Sequence, residues 1–261
     1  MPDSVIGSER LALSHAQITK IGGRDTNEDA LGCTFSDDGV CFVVSDGVGG
    51  HEGGEIASVA VVEAVQESFQ AYPSPSSEML RSHIEYAAAS VAQCKKGNKA
   101  LANMSATAAA LIIDPYARRA LWAHVGDTRV YMLRNGKVHR ITRDHSLVQQ
   151  LVDAGYCTAE QAKAHPLRNT LLFAIGAHSD EPMEISCDET EILEGDAFLL
   201  CTDGLWEWLN AEEIEHLLAF SLTPAQWLSE LVRVSEENCR GSAKLRDNYT
   251  AFAVIIDGIE R

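Results

Sequence analysis

The N-terminal third of the chain opens with strand-like apolar patterns. Residues 11–21 mix apolar and polar positions and predict an early strand, and the glycine-opened stretch 22–29 predicts a loop. The run Cys41–Val44 is fully apolar, which is typical of a buried strand, and it stops at Asp46 among glycines. The turn Phe35–Gly39 leads into this run, so we predict a hairpin there.

Two amphipathic segments follow and predict a pair of helices. In residues 55–70, the positions Val59, Val62, Val65 and Phe69 have helical spacing and predict one apolar face. The stretch Pro73–Pro75 separates this helix from a second one of similar length, residues 77–96, which is rich in alanine.

The middle of the chain returns to strand patterns. Asn135-Gly136 is a strong hairpin signal between the last two of four predicted strands, which are residues 107–113, 119–125, 128–133 and 137–142. Two antiparallel pairs within such a short stretch predict a meander rather than an alternating βαβ arrangement.

The C-terminal part combines short helices, an irregular segment and further strands. Residues 165–182 lack a regular pattern and predict a mobile flap. The other predicted elements are two short helices within 144–164, strands 183–193, 197–201 and 251–256, and helices 211–220 and 224–238. We therefore predict one domain over residues 8–258, in which two stacked sheets are covered by helix pairs.

Composition narrows the functional classes. The chain has 261 residues, 46% of them apolar, and a formal net charge of −17. Its overall electrostatic field therefore disfavours binding to nucleic acid and to anionic membranes. Seven cysteines without a Cys-x-x-Cys pair indicate reduced, buried thiols rather than a disulfide framework or a zinc site. There is no signal segment and no apolar run of membrane-spanning length. We expect a cytoplasmic protein.

Four aspartates occupy similar places in the pattern. Asp46 and Asp203 each follow an apolar run within an apolar–(Ser/Thr)–Asp–Gly sequence, Asp127 interrupts two strands, and Asp247 precedes the last strand. Singly, each is most simply a turn residue. Carboxylates that converge repel one another and require cations, and oxygen ligands without His or Cys favour Mg²⁺ or Mn²⁺. Two such ions activate water and clamp a phosphate, for which Arg24 offers a planar cation.

Seven motifs in order give the chain a resemblance to a known family. It resembles the metal-dependent protein phosphatases of the PPM family (type 2C), in their compact bacterial form. The motifs lie at residues 24–29 (RDTNED), 45–50 (SDGVGG), 124–129 (HVGDTR), 133–136 (LRNG), 141–146 (ITRDHS), 200–205 (LCTDGL) and 247–250 (DNYT).

The resemblance implies an α+β fold, a four-layer αββα sandwich of two antiparallel sheets flanked by pairs of helices. It also implies hydrolysis of phosphoserine and phosphothreonine with Mn²⁺ or Mg²⁺, through attack by a metal-bridging hydroxide. Position by position, the implied metal ligands are Asp46, the Gly47 carbonyl, Asp203, Asp247 and Glu28, with Asp127 at a third, weaker ion. Asp46, Asp203 and Arg24 are the implied catalytic residues; Arg24 binds the substrate phosphate, and Asp29 and Asn248 support the acidic cluster.

Some positions depart from the family pattern. Val48 stands where many eukaryotic relatives have a histidine proposed as the general acid, and His51 follows three residues later. We therefore expect a metal-bound water to protonate the leaving group. Ser105-Ala106-Thr107 replaces a Gly-Thr-Thr motif, read as a packing variation that leaves the metal site untouched. In the flap, Leu172-Phe173 stands where bacterial relatives often have an arginine.

Other prominent side chains have simpler explanations. We expect His124 and His145 to be hydrogen-bonded structural residues, and Trp206 and Trp208 to be anchors. The expected partners are phosphorylated Ser/Thr proteins and a cognate bacterial Ser/Thr kinase, for a monomer acting in signal transduction. Two alternatives remain: a non-catalytic phosphoprotein-binding relative, and a metal phosphoesterase acting in a stress-signalling partner switch.

Overall fold

The computed structural model describes residues 10–48, 53–178, 182–242 and 244–260. The predicted position of His51 and residues 179–181 of the predicted flap lie outside these ranges. Within the described part, no helix combines the length and the apolar character needed to cross a membrane.

The first sheet contains both ends of the described chain. Its strand order is β1-β11-β10-β7-β8, and all pairs are antiparallel. The strands are β1 (Arg10–Lys20), β7 (Arg129–Arg134), β8 (Lys137–Ile141), β10 (Ala197–Cys201) and β11 (Tyr249–Glu260). β1 pairs with β11 from Arg10↔Glu260 to Lys20↔Tyr249, with one register shift after Ala12.

The second sheet has the order β2-β3-β5-β6-β9 and is also antiparallel. Its strands are β2 (Asp29–Phe35), β3 (Val40–Val48), β5 (Ala108–Asp114), β6 (Arg119–Val125) and β9 (Ser186–Glu191), and the short β4 (Ser105–Ala106) pairs with the end of β3.

Helices cover the outer faces of both sheets. α1 (Gly54–Ala71) and α2 (Ser77–Lys95) cover the second sheet, and α6 (Ala211–Ala219) and α7 (Pro224–Cys239) cover the first. Three short helices, α3 (Leu147–Asp153), α4 (Ala159–Lys163) and α5 (Asp203–Trp206), lie in the connections. The predicted αββα sandwich is confirmed.

The apolar core consists of three layers. Cys41 and Val43 of β3 face α1 and α2, whereas Phe42 and Val44 point to the other side and pack between the two sheets. Because both faces of β3 are covered, its residues Val40–Val44 are apolar at every position rather than at alternate ones. This burial fixes the strand whose far end carries Asp46.

Several details differ from the sequence-based predictions. β3 does not stop at Asp46 but continues to Val48, because Gly47 and Val48 pair with β4. Val59 lies on the solvent side of α1 with 44% exposure, and Val61 is fully buried instead. The middle strands form no meander, because the β5–β6 hairpin lies in one sheet and the β7–β8 hairpin in the other.

Candidate active site

A polar cleft of about 500 Å³ opens at one end of the sandwich. Eight of the nine predicted site residues line it: Arg24, Glu28, Asp46, Gly47, Asp127, Asp203, Asp247 and Asn248. Asp29, the ninth, lies directly behind, at the start of β2, where it pairs in register with Asp46. Residues separated by more than two hundred positions in the chain thus meet at one site.

Asp46 is held by the backbone of two neighbouring segments. Its N–H donates to Thr107 Oγ1 at 3.0 Å, and its carbonyl accepts from the Thr107 N–H at 2.8 Å. The N–H of the next residue, Gly47, donates to the Glu28 carbonyl at 3.0 Å. These bonds fix the backbone on both sides of the carboxylate, so its position is set by sheet pairing rather than by a flexible turn.

The segment 105–107 therefore has a role that the sequence analysis missed. It was predicted to leave the metal site untouched, yet Ser105 and Ala106 pair with Val48 and Gly47, and Thr107 bonds to Asp46. Thr107 Oγ1 also shares a 2.6 Å hydrogen bond with Thr128 Oγ1, next to Asp127. The hydroxyl pair connects two of the acidic positions.

Asp203 lies at the first residue of α5, immediately after β10. Its neighbour Thr202 donates its hydroxyl to Asp29 Oδ2 at 2.9 Å and accepts from the Thr250 N–H at 3.0 Å. One oxygen of Asp203, Oδ1, is buried and has no hydrogen-bond partner. An unpartnered buried carboxylate oxygen is costly unless a cation or water completes it.

Arg24, Asp247 and Asn248 bring the two ends of the chain together. Arg24 Nη2 contacts Asp247 Oδ2 in an ion pair. The Asn248 side chain accepts from the Glu28 N–H at 2.8 Å and donates to the carbonyls of Ile21 and Thr26 at 2.7 and 2.8 Å. Asn248 is thus a clamp on the loop that carries Arg24 and Glu28.

Asp127 is positioned by an aromatic anchor. The indole Nε1 of Trp206 donates to the Asp127 carbonyl at 3.0 Å, and the Arg129 guanidinium lies 3.5 Å from the centre of the Trp206 ring. Arg129 in turn makes two 2.8 Å hydrogen bonds to Asp144. Trp206 is therefore an anchor, as predicted, and it fixes the loop between β6 and β7.

His124 and His145 are structural in this arrangement. Their rings stack at 4.5 Å, and His124 Nε2 bonds to the Arg143 carbonyl at 2.7 Å. His145 Nδ1 accepts from the Gly126 N–H at 3.3 Å, and its Nε2 bonds to Ser186 Oγ at 3.0 Å. Neither histidine lines the cleft, which agrees with the predicted structural roles.

Simultaneous ionisation of all the carboxylates in the site is strongly unfavourable. Burial, followed by repulsion from neighbouring carboxylates, raises the pKa values of Asp46 and Asp127 well above their ordinary range. The same causes raise the pKa of Asp203 to about 7, and burial is also the largest cause of the rise of the Asp29 pKa to about 7. Such a group of carboxylates calls for compensating positive charge.

Divalent cations fit this arrangement. Among the described residues, no three His, Cys, Asp or Glu side chains are arranged as a complete metal-binding site. Mg²⁺-like ions keep several waters and are held through only one or two carboxylates, so an open set of half-buried aspartates suits them better than it suits Zn²⁺. The unpartnered Oδ1 of Asp203 is the most direct sign of such a ligand.

The thiols contribute nothing to this site. All seven cysteines are free and none lines the cleft. The prediction that they are buried is correct only for Cys41 and Cys201, and Cys94 is exposed. Burial raises the pKa of Cys41 and Cys201 far above the range in which a thiolate forms at neutral pH.

Known proteins with similar sequences or structures include serine/threonine protein phosphatases. Protein phosphatase PhpP of Streptococcus pneumoniae is 31% identical over 235 residues, which cover 83% of this chain and 88% of PhpP. Serine/threonine protein phosphatase PstP of Mycobacterium tuberculosis is 33% identical over 183 residues; these cover 66% of this chain and 33% of PstP, so the match spans a third of that relative. The crystal structure of the PstP catalytic domain in complex with two manganese ions has a TM-score of 0.79 at 28% identity, covering 95% of this chain and 99% of that one.

A family model described as protein phosphatase 2C matches residues 19–248, a stretch that includes every residue of the cleft. The chain therefore belongs to the protein phosphatase 2C family.

Proposed function

We propose that this protein removes phosphate from phosphoserine and phosphothreonine in proteins, using Mn²⁺ or Mg²⁺. The observation that carries the proposal is the convergence of Asp46, Asp127 and Asp203 on one cleft with Arg24, where one oxygen of Asp203 is buried without a partner. The names of PhpP and PstP, both protein phosphatases, support it.

The residues have distinct proposed roles. Asp46, the Gly47 carbonyl, Asp203, Asp247 and Glu28 would hold two ions, and Asp127 with Asp203 would hold a third, weaker one. When bound, the ions would supply an activated water nucleophile and positive charge against the phosphoryl oxygens. Asp29 and Asn248 would keep the acidic positions in place through the hydrogen bonds to Thr202 and Glu28.

Arg24 would bind the substrate phosphate. Its guanidinium is half exposed at the cleft and already donates to a carboxylate, that of Asp247. Phosphate oxygens match the same planar fork, so substrate and Asp247 would compete for it until an ion takes over the Asp247 charge. The leaving-group oxygen would take its proton from water, because Val48 lines the cleft at the position where a histidine acid is found in other relatives.

The cellular setting follows from the same proposal. We propose a cytoplasmic monomer that acts in signal transduction and reverses the action of a bacterial Ser/Thr kinase. The two-manganese structure of PstP supports the choice of ion.

Hydrolysis of p-nitrophenyl phosphate and of a phosphothreonine peptide tests the proposal. We expect turnover with Mn²⁺ or Mg²⁺, none in EDTA, and a loss of about 10²-fold or more in Asp46→Ala and Asp203→Ala, because each removes charge that positions the ions. Asp114→Asn is a matched control, since Asp114 is also a buried aspartate but caps a turn away from the cleft.

Activity of the aspartate variants, or activity in EDTA, would overturn the metal-dependent mechanism. Peptide binding without turnover by a correctly folded, metal-loaded wild-type protein would instead identify a non-catalytic phosphoprotein-binding relative.

A further inference from the structure

A second cavity, here called the basic groove, lies next to the cleft. It has a volume of about 350 Å³ and runs between the end of β1 and the C-terminal end of α7. Lys20, Glu236, Arg240, Arg246 and Tyr249 line it. Three cations against one carboxylate is an unusual balance in a chain with 38 acidic and 21 basic residues.

The carboxylate of the groove is already engaged. Glu236 Oε1 accepts from the Tyr249 hydroxyl at 3.1 Å and lies 3.8 Å from Arg246 Nη1. Arg246 is largely buried, donates to Ser235 Oγ at 2.7 Å and lies 3.7 Å from the centre of the Tyr249 ring. Glu236 and Arg246 thus offset each other within the wall of the groove.

Lys20 and Arg240 remain without such compensation. Both side chains are exposed, and neither makes a hydrogen bond or an ion pair with any residue in the described part of the chain. Other surface cations, such as Arg233 on the same helix, are paired with carboxylates. The groove therefore keeps two positive charges available in an otherwise acidic molecule.

The groove and the cleft share a wall. Gly23 and Asp247 line the cleft, while their neighbours Gly22 and Arg246 line the groove. The Gly23 N–H donates to the Arg246 carbonyl at 2.9 Å, and a Cβ on Gly22 would lie 2.1 Å from the Asp247 carbonyl oxygen. The two segments are packed without space between them, so only this double layer of backbone separates the two cavities.

An extended peptide could occupy both cavities at once. Lys20 and Arg24 are four residues apart, so their Cα atoms are separated by at most about 14 Å. A peptide with its phosphate at Arg24, advancing about 3.3 Å per residue, would cover that distance in roughly four residues or fewer. An anionic group at that spacing would meet Lys20 and Arg240.

Given the phosphatase activity proposed above, we propose that the basic groove binds a second anionic group of the substrate peptide, a few residues from the phosphorylated residue. The group is a carboxylate or a further phosphate, which share the charged oxygens that Lys20 and Arg240 attract. Charge complementarity of this kind selects among partners and fixes register more than it adds affinity. The groove thus makes the enzyme prefer acidic phosphorylated segments.

A set of phosphothreonine peptides of equal length tests this proposal. The peptides carry alanine, aspartate or phosphoserine two to four residues from the phosphothreonine, on the N-terminal or the C-terminal side. The readout is the ratio of kcat/KM for each anionic peptide to that for the alanine peptide. We expect a ratio of about three to ten for one side, falling as salt is raised, because exposed charge pairs are modest and screened. Comparison of the aspartate and phosphoserine arms identifies the source of the anion.

Two double variants with equal loss of charge separate the groove from the overall field. Lys20→Gln with Arg240→Gln removes both available cations, and we expect the ratio to fall to about one. Lys99→Gln with Arg233→Gln removes the same charge outside the groove, and we expect the wild-type ratio. Because Arg240 caps the end of α7, the thermal midpoint of each variant is measured alongside.

A ratio near one in the wild-type enzyme overturns the proposal, as does an unchanged ratio in the groove variant. A change in thermal midpoint with no change in ratio also overturns it, since Lys20 and Arg240 would then only support α7. Hydrolysis of p-nitrophenyl phosphate, which is too small to span both cavities, reports separately on the phosphatase activity itself.

Discussion

At the scale of single residues, glycines allow backbone segments of the site to pack closely against each other. A Cβ on Gly204 would lie 1.9 Å from the Asn248 carbonyl oxygen, and one on Gly47 would lie 2.4 Å from the backbone of Gly54. These contacts bring Asp203 close to Asp247 and Asp46 close to the start of α1. The glycines next to the two aspartates are therefore needed for approach between backbones, not only for a turn.

The substitution Gly204→Ala tests this close approach. We expect it to lower the free energy of unfolding by about 1–3 kcal/mol and to reduce activity strongly, because the added methyl group displaces the backbone next to Asp203 and Asp247. Urea unfolding and peptide hydrolysis measure the two effects. Gly155→Ala is the control: it places alanine at a positive φ with open space around it, so it costs stability but spares activity. Full activity of Gly204→Ala would contradict the expectation.

A second prediction concerns the charge of Asp203. Because burial and repulsion from its neighbours disfavour the carboxylate, Asp203→Asn should leave the metal-free protein as stable as wild type, or more stable. The same variant should lose most of the rise in thermal midpoint that Mn²⁺ gives the wild-type protein, since ligand binding stabilises only a state that binds it. Thermal unfolding in EDTA and in Mn²⁺ checks both statements. A variant that is destabilised in EDTA yet keeps its response to Mn²⁺ would refute them.

At the scale of secondary-structure elements, local signals in the sequence predict most of the fold. Asn135 and Gly136 both have positive φ, as a tight hairpin requires, and the apolar run Ala197–Cys201 is a buried strand. The local pattern fails where pairing with a distant segment decides the outcome. β3 runs past Asp46 because β4 pairs with it, and nothing near Asp46 signals that partner.

The crossing from one sheet to the other is a second example. The sequence around Gly126-Asp127 shows a break between strands, but a break looks the same whether the chain stays in its sheet or changes sheets. The observed change places Asp127 in the cleft. Similarly, Val59 fits a helical apolar spacing, and only the contacts of α1 show that Val61 faces the core instead.

His145 connects three elements, and this predicts a pH effect on stability. It bonds to Gly126 before β7 and to Ser186 of β9, and its carbonyl accepts from the N–H of Leu172 in the predicted flap. Burial, with smaller contributions from His124 and Arg143, lowers the pKa of His145 to about 4 from 6.5. As the pH falls, the His145 ring is protonated in the unfolded chain before it is protonated in the folded protein. The stability that neutral His145 provides is therefore complete above pH 6.5 and is lost as the pH falls towards 4.

We therefore expect His145→Gln to cost about 1–2 kcal/mol at neutral pH, from lost hydrogen bonds, and progressively less as the pH is lowered to 5. Urea unfolding of both proteins at several pH values measures the difference. His139→Gln, which replaces a histidine at an exposed position of β8, is the matched control. A cost that grows at low pH would contradict the assignment of a neutral, accepting His145.

At the scale of the whole molecule, the two sheets bring the ends of several strands to one rim. The sequence motifs predict which residues meet there, because the seven motifs in this order are specific together, although any one of them alone is a weak signal. They do not predict the basic groove, since Lys20, Arg240 and Arg246 lie in segments without a recognisable motif and meet only through the β1–β11 pairing and the end of α7.

Such an assembly predicts that metal binding stabilises distant segments together. With Mn²⁺ we expect slower amide hydrogen exchange in residues 22–29, 46–48, 203–205 and 247–249 at once, because their backbone bonds form one network around the cleft. The edge strand β9 is an internal control and should not respond. Protection confined to one of these segments would contradict the prediction, because it would mean that Mn²⁺ stabilises that segment independently of the others.

The pairing of β1 with β11 also has a consequence for how the enzyme comes into being. Arg24 and Glu28 are made more than two hundred residues before Asp247 and Asn248, which lie beside the strand that completes the first sheet. A nascent chain on the ribosome therefore holds Arg24 long before it holds Asp247, the ion-pair partner of Arg24, and Asn248, which bonds to the Glu28 N–H. The cleft therefore cannot be complete in the nascent chain until Asp247, Asn248 and β11 have been made.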